Sequence, residues 1–249
     1  MMMMVMRRLS GQEIVRIWEV GLGQHPLDQA ITILMSVYPE ASHDTLALLS
    51  IGQRDACLFK TREQTFGQRL SSLAVCPVCK EQIEFILNMA EMRITPNIEP
   101  IDEVFALITD EGELHFRLPN SLDLAAIIDS QNLVDARNLL MQRCVLQASR
   151  NGSDVAVETL PETLIAALAT HMDTCDPLAV IEIPLDCPAC GHQWQILFDI
   201  VSFFWTEISA QAKRLLHEVH TLASLYGWRE ADILSLSSVR RQFYLEMVT

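Results

Sequence analysis

Apolar residues recur at helical spacing at both ends of the chain. Ser10-Gly-Gln-Glu13 is a capping-box pattern, and Ile14, Ile17 and Trp18 follow it at the spacing of one helix face. The same spacing predicts a second helix that begins at Pro26. It predicts further helices over residues 44–49, 54–65, 200–226, 229–234 and 238–247.

The period of the pattern changes in two short stretches, residues 73–87 and 180–199. Apolar and polar residues alternate there on either side of a tight turn, which predicts two strands joined as a hairpin. The two stretches align without a gap, so we interpret them as one hairpin used twice.

The segment between the hairpins has a mixed pattern. It predicts strands near 104–108 and 114–118, a helix from Leu122, helices at 131–148 and 161–171, and otherwise irregular chain over 92–112. We therefore expect an α+β protein that is mostly helical. Its predicted parts are a helical region at 1–70, hairpins at 71–90 and 178–200, a segment at 91–177 inserted between them, and a second helical region at 201–249.

Charge is distributed unevenly over the 249 residues. The chain has 18 basic and 32 acidic residues, a formal net charge of −14. Residues 91–190 contain 17 of the acidic and 5 of the basic side chains, so the inserted segment is the acidic part. Because phosphate contacts require Lys and Arg, this balance disfavours nucleic acid and anionic membranes as partners.

The pattern contains no membrane-spanning segment. The most apolar stretch, residues 196–205, has ten residues and includes Asp199, whereas a span needs about 20 apolar residues. The opening MMMMVMRR lacks the organisation of a signal peptide. We expect a cytoplasmic protein, in which seven cysteines indicate metal binding or chemistry rather than disulfides.

Each predicted hairpin turn carries a Cys-Pro-x-Cys motif. Cys76 and Cys79 lie in the first turn, and Cys187 and Cys190 lie in the second. Four thiolates on two such turns are the tetrahedral ligand set of a structural zinc site, here a zinc ribbon. We therefore predict one Zn²⁺ per chain, bound by these four cysteines.

The two cysteine pairs are unusually far apart in sequence. Between Cys79 and Cys187 lie 107 residues, whereas a compact ribbon has roughly fifteen. Closing the longer loop costs only about 2 kcal/mol more, while structural zinc binding contributes roughly 10–16 kcal/mol. The prediction is therefore a split ribbon, with residues 91–177 inserted between its halves.

Three other interpretations of the cysteines stay open at this point. Each pair can bind its own metal with other ligands such as His192, the pairs can be redox-active, or iron can replace zinc. Redox-active Cys-x-x-Cys pairs sit at helix N-termini, whereas strands are predicted here. The remaining cysteines, Cys57, Cys144 and Cys175, have no partner at metal-binding spacing and are expected to be buried.

Catalytic patterns are not found in the sequence. His217 and His220 are three residues apart rather than four, so they do not match a metalloprotease helix. A nucleophile elbow and a phosphate loop are also missing. Because a zinc ion with four sulfur ligands has no open position for substrate, we expect a protein that is not an enzyme.

The C-terminal residues combine aromatic and arginine side chains on two short predicted helices, which is typical of protein-binding anchors. The alternative is a helix pair docked on the protein's own core. The candidate partner-binding residues are Tyr226, Trp228, Leu236, Arg240, Arg241 and Tyr244.

Several motifs together resemble the T4-type baseplate hub assembly chaperone family of contractile phage tails and phage-tail-like injection systems. They are Trp18-Glu-x-Gly21, Leu22-Gly23-x-His25-Pro26, Phe116-Arg-Leu-Pro119, the two Cys-Pro-x-Cys turns, and the tail containing Tyr226-Gly-Trp228, Arg240-Arg241 and Tyr244-Leu245. The resemblance implies a non-enzymatic assembly factor, or a minor component, whose partners are baseplate or hub proteins. Neither the oligomeric state nor the identity of the partner follows from it.

Overall fold

The structure is a computed structural model that describes residues 7–88, 97–98, 104–150 and 152–247. Its N-terminal part is helical, as predicted, and Ser10 and Glu13 form the expected capping box at the first helix. The helices here are α1 (Gly11–Gly21), α2 (Pro26–Val37), α3 (His43–Ala47) and α4 (Ile51–Phe66).

The first cysteine motif joins two antiparallel strands, β1 (Arg69–Val75) and β2 (Gln82–Asn88). The described part of the segment after it contains a four-stranded sheet in the order β3-β4-β5-β6, with three α-helices. Its elements are β3 (Phe105–Thr109), β4 (Gly112–Phe116), α5 (Ser121–Ile127), α6 (Leu133–Cys144), β5 (Val145–Arg150), β6 (Ser153–Asp154) and α7 (Glu162–Cys175).

The helix predicted for residues 131–148 is wrong beyond Cys144. The carbonyl of Cys144 accepts a hydrogen bond of 2.9 Å from the backbone N–H of Arg117, and β5 then pairs with β4. Sheet pairing with a segment some thirty residues earlier in the chain therefore overrides the local helical pattern. The two-residue strand β6 and a 3-10 helix at Val157–Thr159 are too short for periodicity to predict.

The second cysteine motif joins another antiparallel pair, β7 (Glu182–Asp186) and β8 (Gln193–Leu197). The chain then continues into the 27-residue helix α8 (Ile200–Tyr226) and two short helices, α9 (Glu230–Ser235) and α10 (Ser238–Glu246). The α+β class is thus confirmed. No helix among the described residues is both long and apolar enough to cross a membrane.

The described apolar side chains form three clusters. The largest packs α1, α2 and α4 against α8 and includes the fully buried Phe59 and Phe204. The inserted segment has its own core around Leu114, Phe116 and Leu164. A small third cluster lies between the two hairpins, and stacking of Phe198 on Phe59 joins it to the helical core.

The inserted segment contacts the N-terminus of α4. The amide of Ile51 donates to the carbonyl of Pro119, and the amide of Gly52 donates to the carboxylate of Asp176 at 2.9 Å. A Cβ atom on Gly52 would lie 1.9 Å from Asp176 Oδ1, so the close approach requires glycine. The N-terminus of α4 therefore holds the inserted segment at two places, Pro119 and Asp176.

Candidate metal centre

The two Cys-Pro-x-Cys turns adopt the same backbone conformation. In the first, the Cys76 amide donates to the Glu81 carbonyl at 2.9 Å and the Cys76 carbonyl accepts from Lys80 at 3.1 Å. In the second, Cys187 makes the same two bonds with His192 and Gly191, each at 2.9 Å. The gap-free alignment of the sequence thus corresponds to one turn built twice.

The strands fix how the turns face each other. Inward-facing side chains from both hairpins meet in the third cluster, which includes Ala74 from the first hairpin and Ile183 and Leu185 from the second. Because successive strand residues alternate between faces, this inner apolar face sets the orientation of the turns at the hairpin ends.

The four predicted ligands lie together. Cys76 Sγ is 3.7 Å from Cys190 Sγ, Cys79 Sγ is 3.4 Å from Cys187 Sγ, and all four sulfur atoms lie within 4.8 Å of one another. Tetrahedral zinc with Zn–S bonds of about 2.3 Å needs sulfur separations of about 3.8 Å, whereas a disulfide needs about 2.05 Å. The cluster therefore fits four ligands of one metal ion.

Each turn contributes one buried and one exposed sulfur ligand. Cys76 and Cys187 are buried, while Cys79 and Cys190 lie at the surface. The centre is therefore held from inside by the hairpin core and is open to small reagents from outside.

The sulfur atoms interact strongly with one another. Burial disfavours the Cys76 thiolate, but the amides of Cys79 and Val78 donate to it and lower its pKa to about 6. At Cys79 the amide of Glu81 favours the thiolate, yet the neighbouring Cys187 side chain and burial outweigh it and raise the pKa to about 12. One thiolate thus forms readily and opposes the next, unless a cation lies among them.

The structure does not place His192 among the candidate metal ligands. Its ring stacks on Trp194 with centroids 5.9 Å apart, and the metal-competent group among the described residues consists of the four cysteines. This arrangement brings the two pairs into one cluster, in contrast to the alternative of two separate sites.

The other cysteines lie outside the cluster. Cys57 is buried in the helical core and Cys144 is buried beside Asp123, and burial raises their pKa values to about 11 and about 12. Cys175 is half-buried against the core of the inserted segment. Cys57 and Cys144 are thus buried, as expected, whereas Cys175 is buried only in part.

The C-terminal aromatic candidates form a cluster of their own. Tyr226 stacks on Trp228 at 4.8 Å, and the Tyr244 ring contacts both edge-on. The Arg240 guanidinium lies 5.8 Å from the Tyr244 ring centroid. These contacts join the end of α8 to α10.

Arg241 is a buried residue rather than a surface one. Its Nε donates to Glu218 of α8 at 2.9 Å, and its Nη1 donates to the carbonyl of Leu236 at 2.6 Å. The contacts of Arg241, Leu236 and Tyr244 are thus within the chain, as the docked helix pair requires. A role of this region in partner binding stays a prediction.

Sequence reasoning missed an exposed apolar stripe along α10, formed by Val239 and Phe243 of the helix and by Met247, the C-cap residue directly after it. Their four-residue spacing was the available signal. That signal is not sufficient, because periodicity shows that a helix has an apolar face but not that this face is left in solvent.

Comparison with known proteins decides the family. The family of the T4 bacteriophage base plate protein matches residues 24–205 of the 249. The chain belongs to the T4 base plate protein family. The match contains both cysteine turns and the inserted segment and ends within α8. No curated protein and no solved structure gives a significant match.

For this base plate family member, the resemblance seen in the sequence is confirmed at the level of the family. Membership indicates a role among other baseplate proteins. A cluster of four cysteines that fits one metal ion, in a member of the T4 base plate protein family, is the basis of the proposal that follows.

Proposed function

We propose that the protein is a non-enzymatic adaptor or assembly chaperone of the baseplate in a contractile tail or a related injection system. One Zn²⁺ bound by Cys76, Cys79, Cys187 and Cys190 holds its two hairpins together. The observation that carries the proposal is the convergence of these cysteines, from turns 107 residues apart, in a base plate family member.

The donor set favours zinc in a structural role. Four thiolates saturate a tetrahedral ion, which leaves no coordination position for water or substrate. Iron accepts the same ligand geometry, so the sulfur positions alone do not choose between the metals. Within the proposal the metal ties the hairpins, and the surfaces that flank them recognise baseplate or hub proteins.

The geometry disfavours a thiol oxidoreductase. Redox-active Cys-x-x-Cys pairs depend on a helix N-terminus that stabilises the attacking thiolate. Here each pair lies in a hairpin turn and a strand follows it, β2 in one case and β8 in the other. A nucleic-acid adaptor is disfavoured by the net charge of −14.

Elemental analysis of freshly purified protein tests the metal. We expect one zinc per chain, and Cys187→Ser is expected to lose it, become less stable and aggregate, because three thiolates remain poorly satisfied. Cys175→Ser is the matched control and should keep full zinc content. Iron, two metals per chain, or full zinc with an unchanged melting curve in Cys187→Ser would each contradict the proposal.

Assembly is tested separately. Tagged protein is expected to co-purify with baseplate or hub subunits, and a deletion strain is expected to lack complete baseplates. Mass spectrometry of finished particles distinguishes a retained adaptor from a chaperone that leaves. Normal baseplates in the deletion strain would rule out the assembly role while leaving the metal site intact.

A further inference from the structure

Helix α10 has two different faces. One faces α8, where Arg241 pairs with Glu218 and Tyr244 packs on Tyr226 and Trp228. The other carries the α10 stripe, Val239, Phe243 and Met247, which are 79%, 57% and 61% exposed. Three large apolar side chains in a row on one helix face are a recognisable contact surface.

The sequence of α10 is symmetric about Phe243. Val239 and Met247 lie four residues before and after it, and Arg240 and Glu246 lie three residues before and after it. The two apolar residues are similar in character, whereas the two charged residues are opposite in sign. Turned end for end, the helix therefore presents apolar against apolar. At each end of the pair a positive residue lies at the same level as a negative one, on the opposite flank of the apolar face.

We propose that a second copy of this chain covers the α10 stripe, in an antiparallel two-fold pair centred on Phe243. Val239 lies against the partner subunit's Met247, and the Phe243 side chains meet at the axis. Antiparallel pairing brings the Arg240 end of each helix beside the Glu246 end of the other, whereas parallel pairing would put like charges together. The two helix dipoles also oppose each other favourably.

The expected dimer is weak. A nine-residue helix is only about 13 Å long, and the contact it offers lies well below the standard interface size. Association in the micromolar range is therefore expected, in a closed isologous pair that does not extend into a filament. The proposal depends neither on the metal nor on the assembly role.

Sedimentation equilibrium of the full chain, from low to several hundred micromolar, tests the pairing. Wild type is expected to fit a monomer–dimer equilibrium, and Phe243→Asp, which puts two carboxylates at the axis, is expected to weaken dimerisation at least about tenfold. Phe243→Ala should weaken it less. Leu197→Asp, at a residue 72% exposed outside α10, is the matched control and should dimerise as wild type does.

Charge reversal tests the orientation. Arg240→Glu and Glu246→Arg are each expected to weaken the dimer, and the double variant is expected to restore it. A wild type that stays monomeric, a dimer indifferent to Phe243→Asp, or a double variant weaker than both single variants would overturn the proposal. Circular dichroism and metal content of every variant verify that the fold is retained.

Discussion

At the residue scale, the duplicated turn provides an internal comparison. Lys80 and Gly191 occupy the same place after the second cysteine, with φ of 64° and 71°. This left-handed conformation costs a residue with a Cβ about 1–2 kcal/mol, and glycine avoids the cost. The first turn therefore carries strain that the second does not, and Lys80 is the residue at which the first motif departs from the second.

Alanine substitutions at the two positions should therefore differ. Gly191→Ala is expected to lower the free energy of unfolding by about 1 kcal/mol, because a Cβ is introduced at positive φ. Lys80→Ala is expected to be nearly neutral, since a Cβ is already present there. Urea unfolding of the metal-loaded proteins measures both, and equal effects would contradict the assigned backbone strain.

At the element scale, Glu218 is the residue through which α8 holds α10. It accepts from the buried Arg241 at 2.9 Å and from Arg214, one turn earlier on α8, at 3.1 Å. The Arg241 side chain is only 7% exposed, whereas that of Arg214 is 65% exposed. Only the first pair is removed from water, so only the first should matter strongly for stability.

Removing Glu218 leaves a buried guanidinium without its counter-ion. Glu218→Ala is expected to cost about 3–5 kcal/mol and to detach α10, whereas Arg214→Ala should cost no more than about 1 kcal/mol. Thermal melting gives the stability, and hydrogen exchange over residues 238–246 reports the detachment. Similar melting temperatures for the two variants would show that the pair does not hold the helix.

Another element, α4, carries a buried acid beside the inserted segment. Burial raises the pKa of Asp55 to about 6, an effect that the neighbouring Arg54 partly offsets and that Asp199 and Asp176 increase. This pKa lies above that of an unfolded aspartate. Between about pH 4 and pH 6 the folded state therefore keeps a proton that the unfolded chain has lost. The contribution to stability is complete below about pH 4 and is lost as the pH rises through 6.

The stability of wild type is therefore expected to fall over this window by as much as about 3 kcal/mol from Asp55 alone. Asp55→Asn should remove that part of the slope, whatever its effect on stability at any one pH. Asp44→Asn, at a side chain that is 90% exposed, is the matched surface control. Urea unfolding at several pH values measures the slope of stability against pH. Identical slopes in wild type and Asp55→Asn would contradict the role assigned to Asp55.

At the scale of the whole molecule, parts of the chain differ in their sources of stability, and the candidate metal centre lies in one of them. The helical core and the core of the inserted segment are apolar clusters with many buried residues. Among the residues that the structure describes, the cluster between the hairpins has three buried members, Ala74, Ile183 and Leu185. Two-stranded hairpins of this size are marginal by themselves, so we expect the hairpins to depend on the proposed metal more than the helices do.

Metal removal should consequently act locally. After chelation, the hairpin strands β1, β2, β7 and β8 are expected to lose hydrogen-exchange protection while α1, α4 and α8 keep theirs. The melting temperature should fall by roughly 10 °C or more, because each kcal/mol of lost stability lowers it by about 2–4 °C in a chain of this length. Cys175→Ser, which keeps the four candidate ligands, is the control and should respond to chelator as wild type does. Uniform loss of protection would contradict the division into parts.

Much of the architecture was predictable from local pattern. The helices at both ends, the two hairpins and the cysteine turns follow from periodicity, caps and the gap-free repeat. The predicted helix over 131–148 failed at its end because the partners of β5 lie on β4, beyond any local window. For the same reason the contact between Gly52 and Asp176, 124 residues apart, has no local signal.

The sequence by itself determined which four cysteines are the candidate ligands, because the cysteine spacing and the hairpin alternation are local properties of the chain. Only the tertiary structure decided that both pairs form one cluster, since the hairpins meet through side chains from strands more than a hundred residues apart. It also decided which arginine of the C-terminal pair is buried. Arg241 faces Glu218 and Arg240 faces solvent because α10 docks with one particular side on α8.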